Sequence, residues 1–469
     1  MEQTGLPDGE ILRRRIRLFT DSKKRKAMLD GDRYYRGLHD ILKNKRLSID
    51  ADGNAYELKF LPNNRIIDNK YRKYALQIQN YFVGRPFVFR TENEQFSDLL
   101  DDVFTHRFRN TITKMTADVL NHGIAWIGPY VTSDNELKWR RYAGYEIIPE
   151  WTDDDHTELK RAVRIYKTAD DVSTPTMHCD VFDADGVYHF NITNTGTVVI
   201  DDINPFDAWF VTDTVSDETE AVRIWDRVPL VAFRANAQEL PMLSPCVKSL
   251  QDAINKILSN LVNNMLEDPR SSLLVVVNYD GQDAEELRQN LSEYGVLMLR
   301  DDGKVDTLHL EVNSANYKEV LTQLSRALME NMYGFDGSAD KLGSNPNQMN
   351  IQSMYSDIDC FVNGMEREYQ ASFEDVLYFV KTWLKETGKG DYTNEDVEIV
   401  FNRDVLVNQS QVIADLTASA GILSHETLVA QHPYVDDVDA ELERIREEGN
   451  VQIAGDYPDD FGRNDNRDE

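Results

Sequence analysis

Apolar residues recur at helical spacing in several long stretches of the chain, and this pattern predicts most of its architecture. Over 244–267 they return every three or four positions, which predicts one amphipathic helix with a Ser-Pro start. The same spacing predicts helices over 69–83 and 314–333 and a very long helix over 348–386. The polar face of the helix over 244–267 carries the following residues: Lys248, Gln251, Asp252, Asn255, Lys256, Ser259, Asn260, Asn263 and Asn264.

Shorter patterns complete the prediction of an α+β, mainly helical protein. Alternating apolar and polar residues separated by turn residues predict antiparallel strands between 124 and 231. A compact insertion follows, with strands predicted over 271–278, 295–299 and 304–310 and a helix over 284–293. Further predicted elements are a basic N-terminal helix, two helices within 95–122, short strands at 87–90 and 397–402, and helices over 408–420, 424–431 and 436–448.

Two segments lack the apolar residues that a packed element needs. Residues 336–347 are rich in Gly, Ser and Asn, which predicts an exposed loop between two helices. The stretch from 436 to 469 holds 13 acidic and 4 basic residues, and beyond Gly449 it is typical of a disordered acidic tail.

Charge restricts the classes of function that remain. The 469 residues include 51 Lys and Arg against 82 Asp and Glu, so the net charge is −31. A protein that grips DNA through its phosphates usually presents a basic surface. If this chain handles DNA, it must therefore repel DNA more than it holds it, or confine its cations to a small surface. The alternative is an acidic, well-solvated protein without such a role.

The clearest concentration of cations lies near the N-terminus. Eight basic residues occur between positions 13 and 26: Arg13, Arg14, Arg15, Arg17, Lys23, Lys24, Arg25 and Lys26. Such a run is typical of a solvated helix face, and the alternative is a patch for a partner or for nucleic acid.

Motifs for catalysis and cofactor binding do not occur in the chain. It has no phosphate-binding P-loop, no dinucleotide-binding glycine motif, no HExxH and no GxSxG, so we expect no enzyme, no cofactor and no metal. The acidic run Asp153–Asp155 is a weak alternative as a cation site. Cys179, Cys246 and Cys360 are far apart and are predicted to be buried free thiols. No apolar run could span a bilayer and no apolar signal core opens the chain, which predicts a soluble cytosolic protein.

Several motifs in a fixed order resemble the portal proteins of long-tailed phages that infect Gram-positive bacteria, the type-six-gene portal family. The stretches are Tyr34–Ile41 (YYRGLHDI), Asn63-Asn64, Tyr81–Pro86 (YFVGRP), Val228–Asn236 (VPLVAFRAN) and Leu250–Asn255 (LQDAIN). Together they cover roughly 34 to 400. The two long helices that bracket an insertion, and the glycine-rich loop after them, agree with this resemblance.

The resemblance implies a portal fold with wing, stem, clip and crown regions that assembles into a ring, typically of twelve subunits. It implies a wing over 1–243, stem helices over 244–267 and 314–335, and a clip over 268–313. A tunnel loop would follow over 336–350, a return to the wing over 351–404, a crown over 405–449 and the acidic tail over 450–469.

The implied function is a channel at one capsid vertex for packaging and ejection of double-stranded DNA. The implied partners are the terminase large subunit, a head-completion adaptor, and the major capsid and scaffolding proteins, with no membrane. The location would be the virion, and the host cytoplasm during assembly. The alternatives are an enzyme of head assembly, such as a terminase subunit or nuclease, and a shorter ring-forming tail adaptor or collar.

A negative channel wall would let a polyanion slide without sticking, while a few cations or amides touch its backbone. In the tunnel loop the candidates for that contact are Lys341, Asn345, Asn347 and Asn350. The alternative for Lys341 is an ordinary solvated loop lysine. Lys248 and Lys256 on the first stem helix are candidates for the stem lumen, and the alternative for both is pairing with acids at the surface or between subunits.

Overall fold

The computed structural model of this chain describes residues 8–49, 53–58, 61–132, 134–168, 176–193, 195–213, 220–223, 225–267, 273–279, 299–308, 314–335, 348–403, 409–432, 434–435, 438 and 441–446. The chain divides into two compact units. One is drawn from Met1–Phe335 and Asp357–Asp404, and the other from Asp336–Ser356 and Val405–Glu469.

The first unit opens with two helices, α1 (Gly9–Asp21) and α2 (Lys23–Tyr35). Ser22 separates them: its backbone is extended, and its hydroxyl accepts a hydrogen bond from the backbone N–H of Arg25 at 3.1 Å. The basic N-terminal segment, predicted as one helix, is therefore two, because a serine in this conformation ends one helix and caps the next.

Three more helices follow, each capped by a polar side chain. A 3₁₀ turn (Asp40–Lys43) and the hairpin β1 (Leu47–Ile49) and β2 (Ala55–Glu57) lead to α3 (Lys70–Val83). The short strand β3 (Val88–Arg90) precedes α4 (Glu94–Val103) and α5 (His106–His122). The predicted helix over 69–83 and the two helices within 95–122 are confirmed.

The predicted antiparallel β region is also confirmed. Its strands are β4 (Ile124–Val131), β5 (Leu137–Tyr142), β6 (Ile147–Trp151), β7 (Leu159–Thr168), β8 (Thr176–Phe182), β9 (Gly186–Ile192), β10 (Val198–Ile200), β11 (Phe206–Ala208), β12 (Phe210–Asp213), β13 (Glu220–Arg223) and β14 (Val231–Arg234). One sheet has the order β10-β9-β8-β7-β6 with β11 beside β9, another has the order β14-β4-β5, and β12 pairs with β13.

Long helices dominate the rest of the chain. They are α6 (Pro245–Glu267), α7 (Ser314–Asn331) and α8 (Gln348–Glu386), and the strand β17 (Glu398–Val400) pairs with β3. The three predicted helices are confirmed within two residues at each end. In the second unit, α9 (Gln409–Ala418) and α10 (His425–Ala430) agree with the prediction, and the Ser424 hydroxyl caps α10.

The insertion between α6 and α7 differs from the prediction. It contains an antiparallel pair, β15 (Leu273–Tyr279) and β16 (Leu299–Leu308). Within the described residues, β16 joins the end of the strand predicted over 295–299 to the strand predicted over 304–310. Arg300–Gly303, which separates the two predicted strands, lies within β16, and a register shift between Val277 and Tyr279 accommodates these residues within the ladder. The helix predicted over 284–293 lies outside the described residues.

Aromatic rings form a core between α8 and other elements of the first unit. Phe373 of α8 contacts the rings of Phe87, Phe108 and Phe233, at centroid distances of 5.2 to 6.5 Å. Phe233 and Phe373 are fully buried. This cluster fixes α8 to β14, α5 and the segment before β3.

The cysteines are free, as predicted, but only Cys179 is buried. Cys246 and Cys360 are exposed, which corrects the prediction for these two, because each lies on an outward face of its helix, α6 or α8. No helix among the described residues combines the length and apolar character that a membrane span requires.

Candidate functional site: the base and polar stripe of helix α6

The start of α6 follows from its first residues. The Ser244 hydroxyl accepts a hydrogen bond from the backbone N–H of Val247 at 3.3 Å, and Pro245 occupies the first helical position, where no N–H is needed. Val247 and Ile254 are buried against Leu328 of α7 and Met332, which directly follows α7. The two predicted long helices that bracket the insertion therefore pack through their apolar stripes.

A second stripe of α6 is polar and nevertheless buried. Gln251 and Asn255 are fully inaccessible to solvent, and Ser259 and Asn263 are nearly so. Their side-chain oxygens accept hydrogen bonds from backbone N–H groups of a segment nearly two hundred residues earlier in the chain. The pairs are Asn64 N to Asn263 Oδ1 (2.7 Å), Ile66 N to Ser259 Oγ (2.9 Å), Asp68 N to Asn255 Oδ1 (3.0 Å) and Tyr71 N to Gln251 Oε1 (2.9 Å).

The spacing explains why these groups meet one to one. Four residues of a helix advance about 6 Å, and two residues of an extended chain advance about 6.6 Å. Donors at 64, 66 and 68 therefore stay in register with acceptors at 263, 259 and 255. Backbone groups that would otherwise be buried without partners are satisfied by side chains of α6 in place of a neighbouring strand.

His39 extends this network on the other side of Asn255. The amide nitrogen of Asn255 donates to His39 Nδ1 at 2.8 Å, and His39 Nε2 donates to the carbonyl oxygen of Tyr34 at 3.0 Å. Burial lowers the pKa of His39, in agreement with a neutral ring that donates from Nε2 and accepts at Nδ1. Asn255 thus joins three separate parts of the first unit.

Lys248 lies in an ion cluster at the base of α6. Its ammonium donates to Asp40 at 2.5 Å and to Asp252 at 2.8 Å, and Arg33 donates to the other oxygen of Asp40 at 2.7 Å. Burial acts to raise the pKa of Asp40, but the hydrogen bonds from Lys248 and Arg33 outweigh it and hold that pKa well below its usual range. The charge of Lys248 is therefore neutralised within its own chain.

The turn that precedes α6 contains a second buried charge cluster. Glu239 has a left-handed backbone (φ 54°), and its side chain is 3% exposed. It accepts hydrogen bonds from Lys24, from His156 Nδ1 at 2.9 Å and from Arg234 Nε at 3.1 Å. Burial alone would raise the pKa of Glu239, but these donors lower it to about 2.

Of the remaining predicted site residues, the structure describes Lys256 and Asn350. Lys256 is exposed on α6, one turn beyond the ion cluster. Asn350 lies in the first turn of α8, and Lys341, Asn345 and Asn347 lie outside the described residues. The channel roles of all these residues, and a lumenal role for Lys248, stay predictions.

The sequence already contained a signal for the buried stripe. Gln251, Asn255, Ser259 and Asn263 follow one another every four residues, which places them on one narrow face of the helix. Sequence reasoning treated the whole polar face as one surface. The structure divides it, with this stripe inside and Lys256 and Asn260 exposed.

Three of the motifs behind the family resemblance meet at this site. Tyr34 donates its hydroxyl to Asp252 at 2.5 Å, which joins the first motif to the motif on α6. Asn64, from the second motif, donates its side-chain amide to Asn263 at 2.8 Å. These stretches are far apart in sequence, and in the fold they are joined by hydrogen bonds along α6.

The acidic run Asp153–Asp155 has a local structural role. The Asp153 carboxylate accepts hydrogen bonds from the backbone N–H groups of Thr157 and Glu158 at 2.9 to 3.1 Å. These hydrogen bonds lower the pKa of Asp153 to about 2. No group of three or more His, Cys, Asp or Glu suited to a metal ion occurs in the described part of the chain.

Comparison with known proteins assigns the class. The family model described as "Phage portal protein, SPP1 Gp6-like" matches residues 20–454. The chain therefore belongs to this family of phage portal proteins.

Two curated relatives bear the name "Portal protein". That of Bacillus phage SPP1 is 26% identical over 99% of this chain and 91% of its own length. That of Clostridium phage phiCD119 is 23% identical over 96% of this chain and 99% of its own length. Among solved structures, a chain of "Neck of native GTA particle computed with C12 symmetry" has a TM-score of 0.38 and 12% identity, over 76% of this chain and 88% of that one.

Proposed function

We propose that this portal protein assembles into a closed ring at one vertex of a phage capsid and forms the channel through which double-stranded DNA is packaged and ejected. The observation that carries the proposal is the family match over 20–454, which spans both long helices and the insertion between them. In this proposal α6 and α7 are the stem, the β15–β16 insertion is the clip, and the α1–α5 and β4–β14 region with most of α8 is the wing. Residues 405–449 are the crown.

The charge of the chain supports a channel function. A ring of about a dozen copies, each with a net charge of −31, surrounds its lumen with negative potential. DNA then meets repulsion over most of the wall and slides without being held. The clip is the proposed docking surface for the terminase large subunit and later for a head-completion adaptor.

Exposed apolar side chains on the proposed stem support assembly. Met265 and Leu266 of α6 are 62% and 54% exposed, and Val320 of α7 is 45% exposed. Apolar side chains grouped on two paired helices are typical of surfaces that a partner covers. In the ring, the partner is the stem of the next subunit.

The experiment that tests this function is the mass of the purified chain in solution, with negative-stain images of the same sample. We expect a species of about a dozen subunits with a central channel. A stable monomer or dimer at high concentration would contradict the proposal.

The tunnel-loop candidates predict a packaging defect without an assembly defect. Lys341→Ala removes a cation that we propose to touch the DNA backbone in the channel, so the amount of packaged DNA is expected to change severalfold while the ring mass stays the same. Lys43→Ala is the control, because Lys43 is an exposed cation in the proposed wing. Equal packaging by the two variants would remove Lys341 from the site.

A further inference from the structure

The N-terminal helices present a basic surface that the fold itself does not use. Of the eight cations between 13 and 26, three are engaged within the chain: Arg15 pairs with Glu150 at 2.5 Å, Lys24 with Glu239, and Arg25 donates to the carbonyl oxygen of Tyr145 at 3.1 Å. The other five are exposed and have no charged partner among the described residues. They are Arg13, Arg14, Arg17, Lys23 and Lys26.

Apolar side chains accompany these cations on α1. Ile11 is 59% exposed and Leu18 is 65% exposed, and they lie seven residues apart, on the same side of the helix as Arg14. A phosphate backbone would leave such side chains in water. A surface that combines cations with large apolar side chains fits an acidic protein surface better than it fits DNA.

The chain carries a helix of complementary charge in the same unit. Acidic residues of α4 recur at steps of four, three and one residues along one exposed face: Glu94, Asp98, Asp101 and Asp102. Asp101 approaches Arg109 at 3.7 Å, and the other three have no cation partner among the described residues. The inner side of α4 is anchored by Phe96, which stacks on Tyr392 at 4.5 Å.

Within one chain, α1 and α4 pack against different elements. Leu12 on the inner side of α1 belongs to the core cluster formed with Val163, Val181 and Phe190 of the six-stranded sheet. No ion pair joins Arg13, Arg14 or Arg17 to α4 among the described residues. Apart from Asp101, the charged residues of these two faces therefore have no charged partner among the described residues and can meet a second molecule.

We propose that the basic face of α1 binds the acidic face of α4 in a neighbouring copy of this chain. Such a contact uses two different surfaces of the same protein, so each copy offers one of each, and repetition with a fixed rotation closes a ring. This inference rests on the proposed function, because it assumes that the molecule bound to α1 is a second copy of the chain in the proposed ring. It adds which helices carry the contact and which charges determine its orientation.

Charge reversal with rescue tests this contact. Arg13→Glu with Arg14→Glu and Arg17→Glu is expected to abolish the ring species, because acid would face acid. Glu94→Lys with Asp98→Lys and Asp102→Lys is expected to abolish it as well. The two sets combined restore opposite charges and are expected to recover the ring, measured by mass in solution. The wild-type ring is expected to dissociate as sodium chloride is raised.

A matched control separates this contact from net charge. Lys43→Glu with Lys114→Glu and Arg367→Glu changes the charge by the same amount at exposed positions elsewhere, and the ring should persist. The circular dichroism spectrum should be unchanged in every variant, since all the substituted side chains are exposed.

Four results would overturn the inference. They are an intact ring in the α1 variant, no recovery in the combined variant, loss of the ring in the control, and loss only of double-stranded DNA binding in the α1 variant. The first of these leaves the proposed channel function standing. A wild-type chain that forms no ring would instead defeat the proposed function.

Discussion

Replacing Asn255 with leucine is expected to lower the free energy of unfolding by about 4 kcal/mol, because several buried polar groups lose their partner at once. The Asn255 side chain is fully buried, and it accepts from the backbone N–H of Asp68 at 3.0 Å and from Gln251 Nε2 at 3.1 Å. It also donates to His39. Leucine has a similar volume but can satisfy none of these groups.

The measurement is urea denaturation followed by circular dichroism. Asn260→Leu is the matched control, because the same residue type lies five positions later on the same helix but is exposed. Its expected effect is within about 0.5 kcal/mol. If Asn255→Leu were as mild as the control, the hydrogen-bonded stripe of α6 would not be a stabilising feature.

Glu239→Gln is expected to cost about 3 kcal/mol of unfolding free energy. The substitution keeps the shape of the side chain but leaves Lys24, His156 and Arg234 without the negative charge that they surround. Removing the buried carboxylate is costly because Arg234, which is only 17% exposed, would stay largely desolvated without its counter-charge. Glu158→Gln, at an exposed glutamate of the same sheet region, is the control and should leave the free energy of unfolding nearly unchanged.

The same residue predicts a pH dependence with a definite sign. The pKa of Glu239 falls from an ordinary value of 4.5 to about 2 in the folded chain. The folded state therefore favours the carboxylate, so this stabilisation is fully present above pH 4.5 and is lost as the pH falls towards 2. A pKa shift of this size corresponds to a contribution of about 3 kcal/mol to the free energy of unfolding.

Unfolding measured between pH 6 and pH 2.5 checks this effect. The wild type should lose stability more steeply with falling pH than Glu239→Gln does. Parallel curves for the two proteins would show that the cluster contributes nothing to acid stability.

The helices were predictable from sequence because their signals are local. The apolar spacing over 244–267, 314–333 and 348–386 agrees with α6, α7 and α8 within two residues, and Ser244-Pro245 marks a true helix start. The family could be recognised for a related reason: its motifs lie in short stretches in a fixed order. Neither inference requires knowledge of which segments are in contact in the folded chain.

The partners of polar residues could not be predicted in this way. Whether Lys248 faces a lumen or an acid depends on Asp40, which is more than two hundred residues away. Similarly, Arg300–Gly303, between two strands that were predicted as separate, is part of β16, because the pairing with β15 accommodates the extra residues by a register shift. Strand pairing of this kind is decided by the neighbouring strand and not by the residues of one segment.

By itself, the sequence determined the α+β composition, the positions of the long helices and the portal family. Only the tertiary structure decided that four of the nine polar-face residues of α6 are buried and that the extended segment before α3 supplies their hydrogen-bond donors. The physical reason is that periodicity along a helix distinguishes apolar from polar faces. The free energy of a polar face depends on whether water or a distant backbone satisfies it.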